Sequence, residues 1–189
     1  MKREKTFLFS LEIIIILFII IGGSSINSKI IAQQGNLVKN PSFEIGGSAI
    51  GQEYNQNGWT FFVIEEPATG VVSKDAKDGN FCFEIQTKNG RGFLHSEPFP
   101  VKPLSKLNVS LWVKGDGEGA IEILWWNKYD ENVAVESEHH RDILKTYNTS
   151  RSWQKINVIA NAPKDANFAY IRLVAKKANI SFDGISLNP

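Results

Sequence analysis

Two adjacent tryptophans, Trp125 and Trp126, are the side chains of this sequence best suited to holding a flat ligand. They end an alternating run in which Ile121 and Ile123 are the apolar positions. Adjacent residues of a β-strand point to opposite faces of a sheet, so this register predicts Trp125 in the core and Trp126 on the outer surface. An exposed indole can stack against the C–H face of a sugar ring through apolar and CH–π contacts.

Other side chains with an outward register could complete a sugar-binding groove, because sugar hydroxyls need paired donors and acceptors beside an aromatic platform. The residues that fit this description are Trp112, Tyr170, Arg172, Glu84, Gln86 and, from a loop or strand end, Tyr54. The alternative is that loops or a second sheet contact cover these side chains. His95, beside Glu97, is interpreted as part of a polar pair on a strand surface.

The elements that must position these residues are β-strands. Short alternating runs, such as those at 107–113 and 156–160, recur from Asn36 onward. Gly-rich and Pro-containing turns separate them, and no stretch after Asn36 keeps a helical periodicity for three turns. Many short strands without helices predict an all-β fold, a single antiparallel β-sandwich.

The N-terminal segment, residues 1–32, resembles a secretory signal. Basic residues precede an apolar run whose uninterrupted part, 13–21, is nine residues long. A membrane-spanning helix needs roughly 20. Cleavage could follow Ser25 or Ala32, and an uncleaved anchor is the alternative. We therefore predict a secreted or periplasmic protein whose single folded domain is 33–189.

The charge balance restricts the partners of the chain. It has 21 Lys and Arg against 20 Asp and Glu, a formal net charge of +1. This balance lacks the basic footprint of nucleic-acid binding and gives no polybasic membrane patch, so we predict neither partner beyond the N-terminal segment. The one cysteine excludes an intramolecular disulfide.

Several short motifs, in order along the chain, resemble the CenC-like carbohydrate-binding modules. They include 36–44 (NLVKNPSFE), Gly58-Trp59-Thr60, Asp78-Gly79-Asn80, Ser152-Trp153 and 180–187 (ISFDGISL). The resemblance implies a galactose-binding-like β-jelly roll and a role in glycan binding. Two departures are Asp183-Gly184, where the family usually has two aspartates, and the charged segment 136–151, which matches nothing in the family.

The resemblance also implies a structural Ca²⁺ ion near Glu44, Asp78 and Asp183. Calcium prefers six to eight hard oxygen ligands, including backbone carbonyls near turns. Asp78 would contribute chiefly the carbonyls of its neighbours. Asp183 interrupts an apolar strand and needs a partner, which backbone N–H groups could supply without a metal.

Together these features predict a secreted, non-catalytic domain that holds a polysaccharide through exposed aromatics on one sheet face or at a loop end. Modules of this family are usually appended to glycoside hydrolases, so a separate hydrolase or a cell-surface component is the expected partner. The alternative is a structural or adhesive extracellular sandwich that binds protein. An enzyme is disfavoured because no nucleophile motif such as G-x-S-x-G occurs.

Overall fold

The computed structural model describes residues 35–45, 50–51, 54–127 and 140–189, so the predicted signal at 1–32 lies outside the described residues. Every regular element in the described part is a β-strand. The thirteen strands are β1 (Ile50–Gly51), β2 (Tyr54–Gln56), β3 (Trp59–Glu65), β4 (Ala68–Ser73), β5 (Cys82–Thr87), β6 (Arg91–Ser96), β7 (Phe99–Pro100), β8 (Lys106–Gly115), β9 (Glu118–Trp126), β10 (His140–Asn148), β11 (Gln154–Asn161), β12 (Phe168–Lys176) and β13 (Asn179–Asn188).

These strands form two antiparallel sheets. The six-stranded sheet has the order β1-β4-β5-β13-β8-β11. The seven-stranded sheet has the order β10-β9-β12-β6-β3-β2, with β7 paired to β12. The predicted all-β antiparallel sandwich is therefore confirmed. Across the described ranges, no helix has the length and apolar character to cross a membrane.

Alternate side chains of the two sheets meet in a shared core. Leu111 and Phe182 of the six-stranded sheet and Ile123 and Ile171 of the seven-stranded sheet are completely buried there. Burying one such side chain contributes about 1.5–3 kcal/mol to folding. Trp125 joins the same core at 1% exposure, which confirms the inward register predicted for it.

The segment 36–45 runs beside the last strand. The backbone N–H of Leu37 donates to the carbonyl of Leu187 at 2.8 Å. The side chain of Asn36 donates to the carbonyl of Ile185 at 2.8 Å and accepts from the N–H of Leu187 at 3.0 Å. The opening and closing motifs of the sequence are therefore hydrogen-bonded neighbours.

Candidate functional site

The outer face of the seven-stranded sheet carries a second apolar cluster, separate from the core between the sheets. Its buried members are Leu124, Trp126 and Tyr170, with Phe168 packed against them. In the register between β9 and β12, Tyr170 lies opposite Leu124 and Phe168 lies opposite Trp126. The indole of Trp126 meets the ring of Tyr170 edge-on, with ring centres 5.7 Å apart.

Trp126 and Tyr170 lie on the predicted outward face but are not open platforms. Trp126 is 6% exposed and Tyr170 is 5% exposed. The expectation that they are exposed is wrong, because large side chains of β9 and β12 pack against one another on this face. Alternation along one strand predicts a face, whereas burial depends on the cross-strand neighbours.

A buried polar row crosses the same face. Arg172 of β12 lies between Glu122 of β9 and His95 of β6 in the strand register. Its Nε donates to Nε2 of His95 at 2.8 Å, and its Nη1 donates to Oε2 of Glu122 at 3.3 Å. A guanidinium can only donate, so Nε2 of His95 must accept and the ring proton belongs on Nδ1. The row therefore contains a neutral histidine beside an ion pair.

Aromatic rings enclose His95 in this row. Its ring stacks with Tyr170 at 5.1 Å and with Phe93 at 5.9 Å between centres. The Arg172 guanidinium lies 4.6 Å above the Phe93 ring. Burial lowers the pKa of His95 to about 3, and the positive charge of Arg172 acts in the same direction. The imidazole is thus held neutral at ordinary pH. The prediction that His95 forms a polar surface pair with Glu97 is therefore wrong.

Phe62 gives this face an exposed aromatic edge. Its side chain is 37% exposed, and its ring centre lies 5.0 Å from that of His95. Phe62 of β3 pairs with Phe93 of β6, which extends the aromatic row toward β2. The face therefore combines ring surfaces with fixed donors and acceptors, the two components that saccharide contacts require.

Trp112, Glu84 and Gln86 belong to the other sheet. Trp112 lies on β8 and the other two on β5, all on the outer face of the six-stranded sheet. Gln86 donates to Glu84 at 3.2 Å. The structure thus does not bring them into one groove with Arg172 and Tyr170. Alternation within a strand says that a side chain points outward, but it does not say to which sheet the strand belongs.

For Tyr54 the structure describes the backbone, which pairs with Phe61 as part of β2, but not the side chain.

Phe93 is a site residue that the sequence analysis did not predict. Its ring lies against His95 and Arg172 of the polar row. The signal that could have identified Phe93 and His95 is their alternation with the inward Leu94, which is completely buried in the core.

Asp183 is completely buried in β13 and has backbone partners on both oxygens. Its Oδ2 accepts from the N–H groups of Lys77 at 2.6 Å and Asp78 at 2.8 Å. Its Oδ1 accepts from Gly184 at 2.7 Å. Burial raises the pKa of Asp183, and these hydrogen bonds oppose that rise. The carboxylate therefore joins β13 to the turn that precedes β5.

Glu44 and Asp78 contact the same turn. Glu44 accepts from the N–H groups of Asn80 and Phe81, both at 2.8 Å, and Asp78 accepts from the Ser42 hydroxyl at 2.7 Å. Burial of Glu44 raises its pKa, but the hydrogen bonds from Phe81 and Asn80 outweigh this effect, and the pKa lies below its ordinary value. The turn is thus tied to the segment 36–45.

These oxygen donors suit calcium in type, but they are already engaged by N–H and O–H groups. Among the described residues, no group of three or more His, Cys, Asp and Glu side chains is arranged to hold a metal ion. Gly184, which follows Asp183, has φ +52° at an irregularity in the β13–β8 register. A side chain is strained in that backbone conformation, so glycine suits this position.

No protein-family model matches this chain. No curated protein matches it either. Solved structures do match it, at low sequence identity. The CBM22-1–GH10 modules of Clostridium thermocellum endo-1,4-beta-D-xylanase 10B, solved with xylohexaose, are 14% identical with a TM-score of 0.56. That match covers 82% of this chain and 28% of the other.

Two further structures are similar. TmCBM61, solved with beta-1,4-galactotriose, is 16% identical with a TM-score of 0.52, covering 80% of this chain and 97% of that one. The enzymatically active domain of bacteriophage CBA120 tailspike protein 4 is 14% identical with a TM-score of 0.59, covering 81% of this chain. This chain spans only 21% of the tailspike domain. At such identities the similarity defines the fold alone, a jelly-roll sandwich of the kind found in carbohydrate-binding modules.

Proposed function

We propose that this protein is a non-catalytic carbohydrate-binding domain that contacts a polysaccharide through the outer face of its seven-stranded sheet. The observation that carries the proposal is the buried row of Glu122, Arg172 and His95, set among aromatic rings on a face that is not part of the main core. The similar folds solved with xylohexaose and with beta-1,4-galactotriose support a saccharide as the ligand.

The composition of this face suggests a role beyond stability. In an antiparallel sandwich the outer face of a sheet commonly meets water and is polar. Burying an ion pair such as Glu122–Arg172 often stabilises a protein no more than apolar side chains of similar size would. The buried row can, however, fix the positions of the aromatic side chains around it, so that their accessible edges are held ready to contact a sugar. Exposed Phe62 supplies a ring surface at the edge of this row.

The carboxylates do not favour glycoside hydrolysis. Hydrolysis usually requires two carboxyl groups facing each other across a cleft. In the described part of the chain, the buried acidic residues are Glu122 and Asp183, and they belong to different sheets. These two carboxylates therefore do not form such a pair, and we propose binding rather than cleavage as the activity.

Affinity electrophoresis of the purified protein tests the binding proposal. We expect one of the neutral polymers xylan, beta-1,4-galactan, β-glucan or mannan to retard migration. Phe62→Ala should weaken the retardation and raise the dissociation constant derived from it at least tenfold. The melting temperature should change little, because the ring is partly exposed. Leu104→Ala, which removes an exposed apolar side chain from a loop, is the control. Unchanged retardation of Phe62→Ala would move the site away from this face.

A protein-binding sandwich is the second candidate. The burial of Trp126 and Tyr170 favours it, because buried rings cannot stack directly on a sugar. Uniform mobility of the wild-type protein in every polysaccharide gel would support this candidate and contradict the first. Export, and cooperation with a separate glycoside hydrolase or a cell-surface component, remain proposals that rest on the sequence.

We also propose that Glu44, Asp78 and Asp183 take part in binding a calcium ion at the turn before β5. Support comes from the approach of the three carboxylates to one turn. Burial, and to a lesser extent the negative charge of Asp78, raises the pKa of the Asp183 carboxyl, and a cation would offset the repulsion between the two carboxylates. Because the three carboxylates alone are not arranged to hold a metal ion, carbonyl oxygens of the turn would have to supply most of the ligands. A chelator should therefore lower the melting temperature, and added Ca²⁺ should restore it. Identical melting curves in EDTA and in Ca²⁺ would contradict the proposal.

A further inference from the structure

The outer face of the six-stranded sheet carries a grid of side chains on three adjacent strands, with a register irregularity between Asp183 and Ser186. The strand registers place residues of β13, β8 and β11 side by side in rows. The three rows are Asp183, Trp112 and Lys155, then Ser186, Ser110 and Asn157, then Asn188, Asn108 and Ile159. Asp183 itself is completely buried, so Trp112 and Lys155 are the accessible members of the first row. Residues of one face repeat about every 7 Å along a strand, and strands lie about 4.8 Å apart, so the grid measures about 14 by 10 Å. This area suits a short oligosaccharide better than a single sugar.

A shallow groove of about 420 Å³ lies over the second and third rows. Asn108 and Asn157 are exposed in it and Ser110 is half-buried. Their side chains make no hydrogen bond to the part of the chain that the structure describes, whereas Asn188 donates to Ser186 at 2.7 Å. Amides and hydroxyls both donate and accept hydrogen bonds, as sugar hydroxyls do. The groove therefore offers unused polar groups matched to a saccharide.

The first row adds an aromatic ring and positive charge at one end of the groove. Trp112 is half-buried, and the ammonium groups of Lys77 and Lys155 lie 4.6 Å and 5.9 Å from its ring centre. Gly184 lies against the indole, and a Cβ there would come within 3.1 Å of Trp112 Cδ1. Both ammonium groups lie over the indole, so a sugar ring would contact the indole as the two lysines move onto a carboxylate of that sugar.

We propose that this grid is a second saccharide site, which takes an oligosaccharide containing uronic acid. The carboxylate would lie beside Lys77 and Lys155, the sugar ring against Trp112, and the following hydroxyls on Asn157 and Asn108. The site is separated by the core of the sandwich from the seven-stranded face, where the charged groups already form a buried ion pair. The two faces can therefore be tested independently.

Affinity electrophoresis of the purified protein through polygalacturonate, alginate or polyglucuronate tests this site, with a methyl-esterified form of each polymer for comparison. We expect retardation by an acidic polymer and weaker retardation by its ester. Asn157→Ala, an exposed change that should leave folding intact, should raise the dissociation constant at least tenfold, as should Trp112→Ala. The double variant Lys77→Ala/Lys155→Ala should lose the preference for the acidic form.

Two controls make the result specific. Asn161→Ala removes an exposed amide from the same strand outside the groove, and it should bind acidic polymers as the wild type does. Lys145→Ala removes an exposed charge from the seven-stranded sheet and should also have no effect. Equal loss in Lys145→Ala would indicate bulk charge attraction and overturn the proposal. It would equally be overturned if no acidic polymer retards the protein or if Asn157→Ala and Trp112→Ala bind normally.

Discussion

Asp183→Asn should lower the free energy of unfolding by about 2–4 kcal/mol, because the wild-type carboxylate accepts three backbone N–H bonds in a fully buried position. An asparagine has the same shape but only one acceptor oxygen. Its NH₂ group would face either the N–H of Gly184 or the N–H groups of Lys77 and Asp78, so that two hydrogen-bond donors would point at each other. Hydrogen bonds to a charged acceptor are also stronger than those to a neutral one. Asparagine avoids the cost of burying a charge, which is what raises the pKa of Asp183, so the expected loss comes chiefly from the opposed donors. For a domain of this size we expect a melting temperature about 5–15 °C lower, measured by circular dichroism.

Asp75→Asn is the matched control for this change. Asp75 is an exposed aspartate of the same region, paired with Lys114 across the surface, and exposed ion pairs contribute only about 0–1 kcal/mol. Both variants should be melted with EDTA and with Ca²⁺. A large loss for Asp183→Asn that persists in EDTA assigns the effect to the backbone hydrogen bonds. An unchanged melting temperature would contradict the structural role given to this carboxylate.

The strands were predictable because their information is local. The alternation in β8 and β9 identifies Leu111, Ile121 and Ile123 as inward residues, and all three are completely buried. The same local rule separates Trp125 from Trp126 correctly. Turn residues mark the ends of strands for equally local reasons, since proline limits the accessible backbone conformations and glycine extends them.

The composition of a shared surface was not predictable, because it depends on pairing between distant strands. Trp112 and Trp126 both point outward, yet β8 and β9 belong to different sheets although only two residues separate them. The prediction of one groove containing both tryptophans is therefore wrong because of the sheet topology, whereas the strand register was predicted correctly. The pairing of β12 with both β9 and β6 likewise places Arg172 beside His95, a contact that joins residues 77 positions apart.

Burial of polar residues was the second feature that the sequence could not indicate. His95 and Glu122 alternate with apolar residues as surface positions do, and their burial follows from aromatic side chains on neighbouring strands. For Asp183 the sequence was more informative, because an aspartate within an apolar strand must have partners. Backbone N–H groups supply these partners.

His95 provides the second large expected effect, a loss of stability on acidification. Its pKa is about 3 in the folded protein and about 6.5 in an unfolded chain, so below pH 6.5 the unfolded state binds the additional proton. The contribution of the neutral His95 to the free energy of unfolding is therefore complete above pH 6.5 and is lost progressively as the pH falls toward 3. The expected slope is about 1.4 kcal/mol per pH unit, or about 2 kcal/mol between pH 6.5 and 5.

The measurement is urea unfolding of the wild type and of His95→Gln between pH 7 and pH 4.5. Glutamine keeps an acceptor for Arg172 but does not titrate, so the difference between the two proteins isolates His95 from Glu44, Asp183 and other groups. That difference should favour the wild type most at pH 7 and shrink toward acid, whereas His140→Gln, at an exposed histidine, controls for substitution alone. Parallel curves for wild type and His95→Gln would contradict the buried, neutral histidine. A convergence would instead mean that the face proposed to bind sugar is held together by a polar row whose protonation opposes folding.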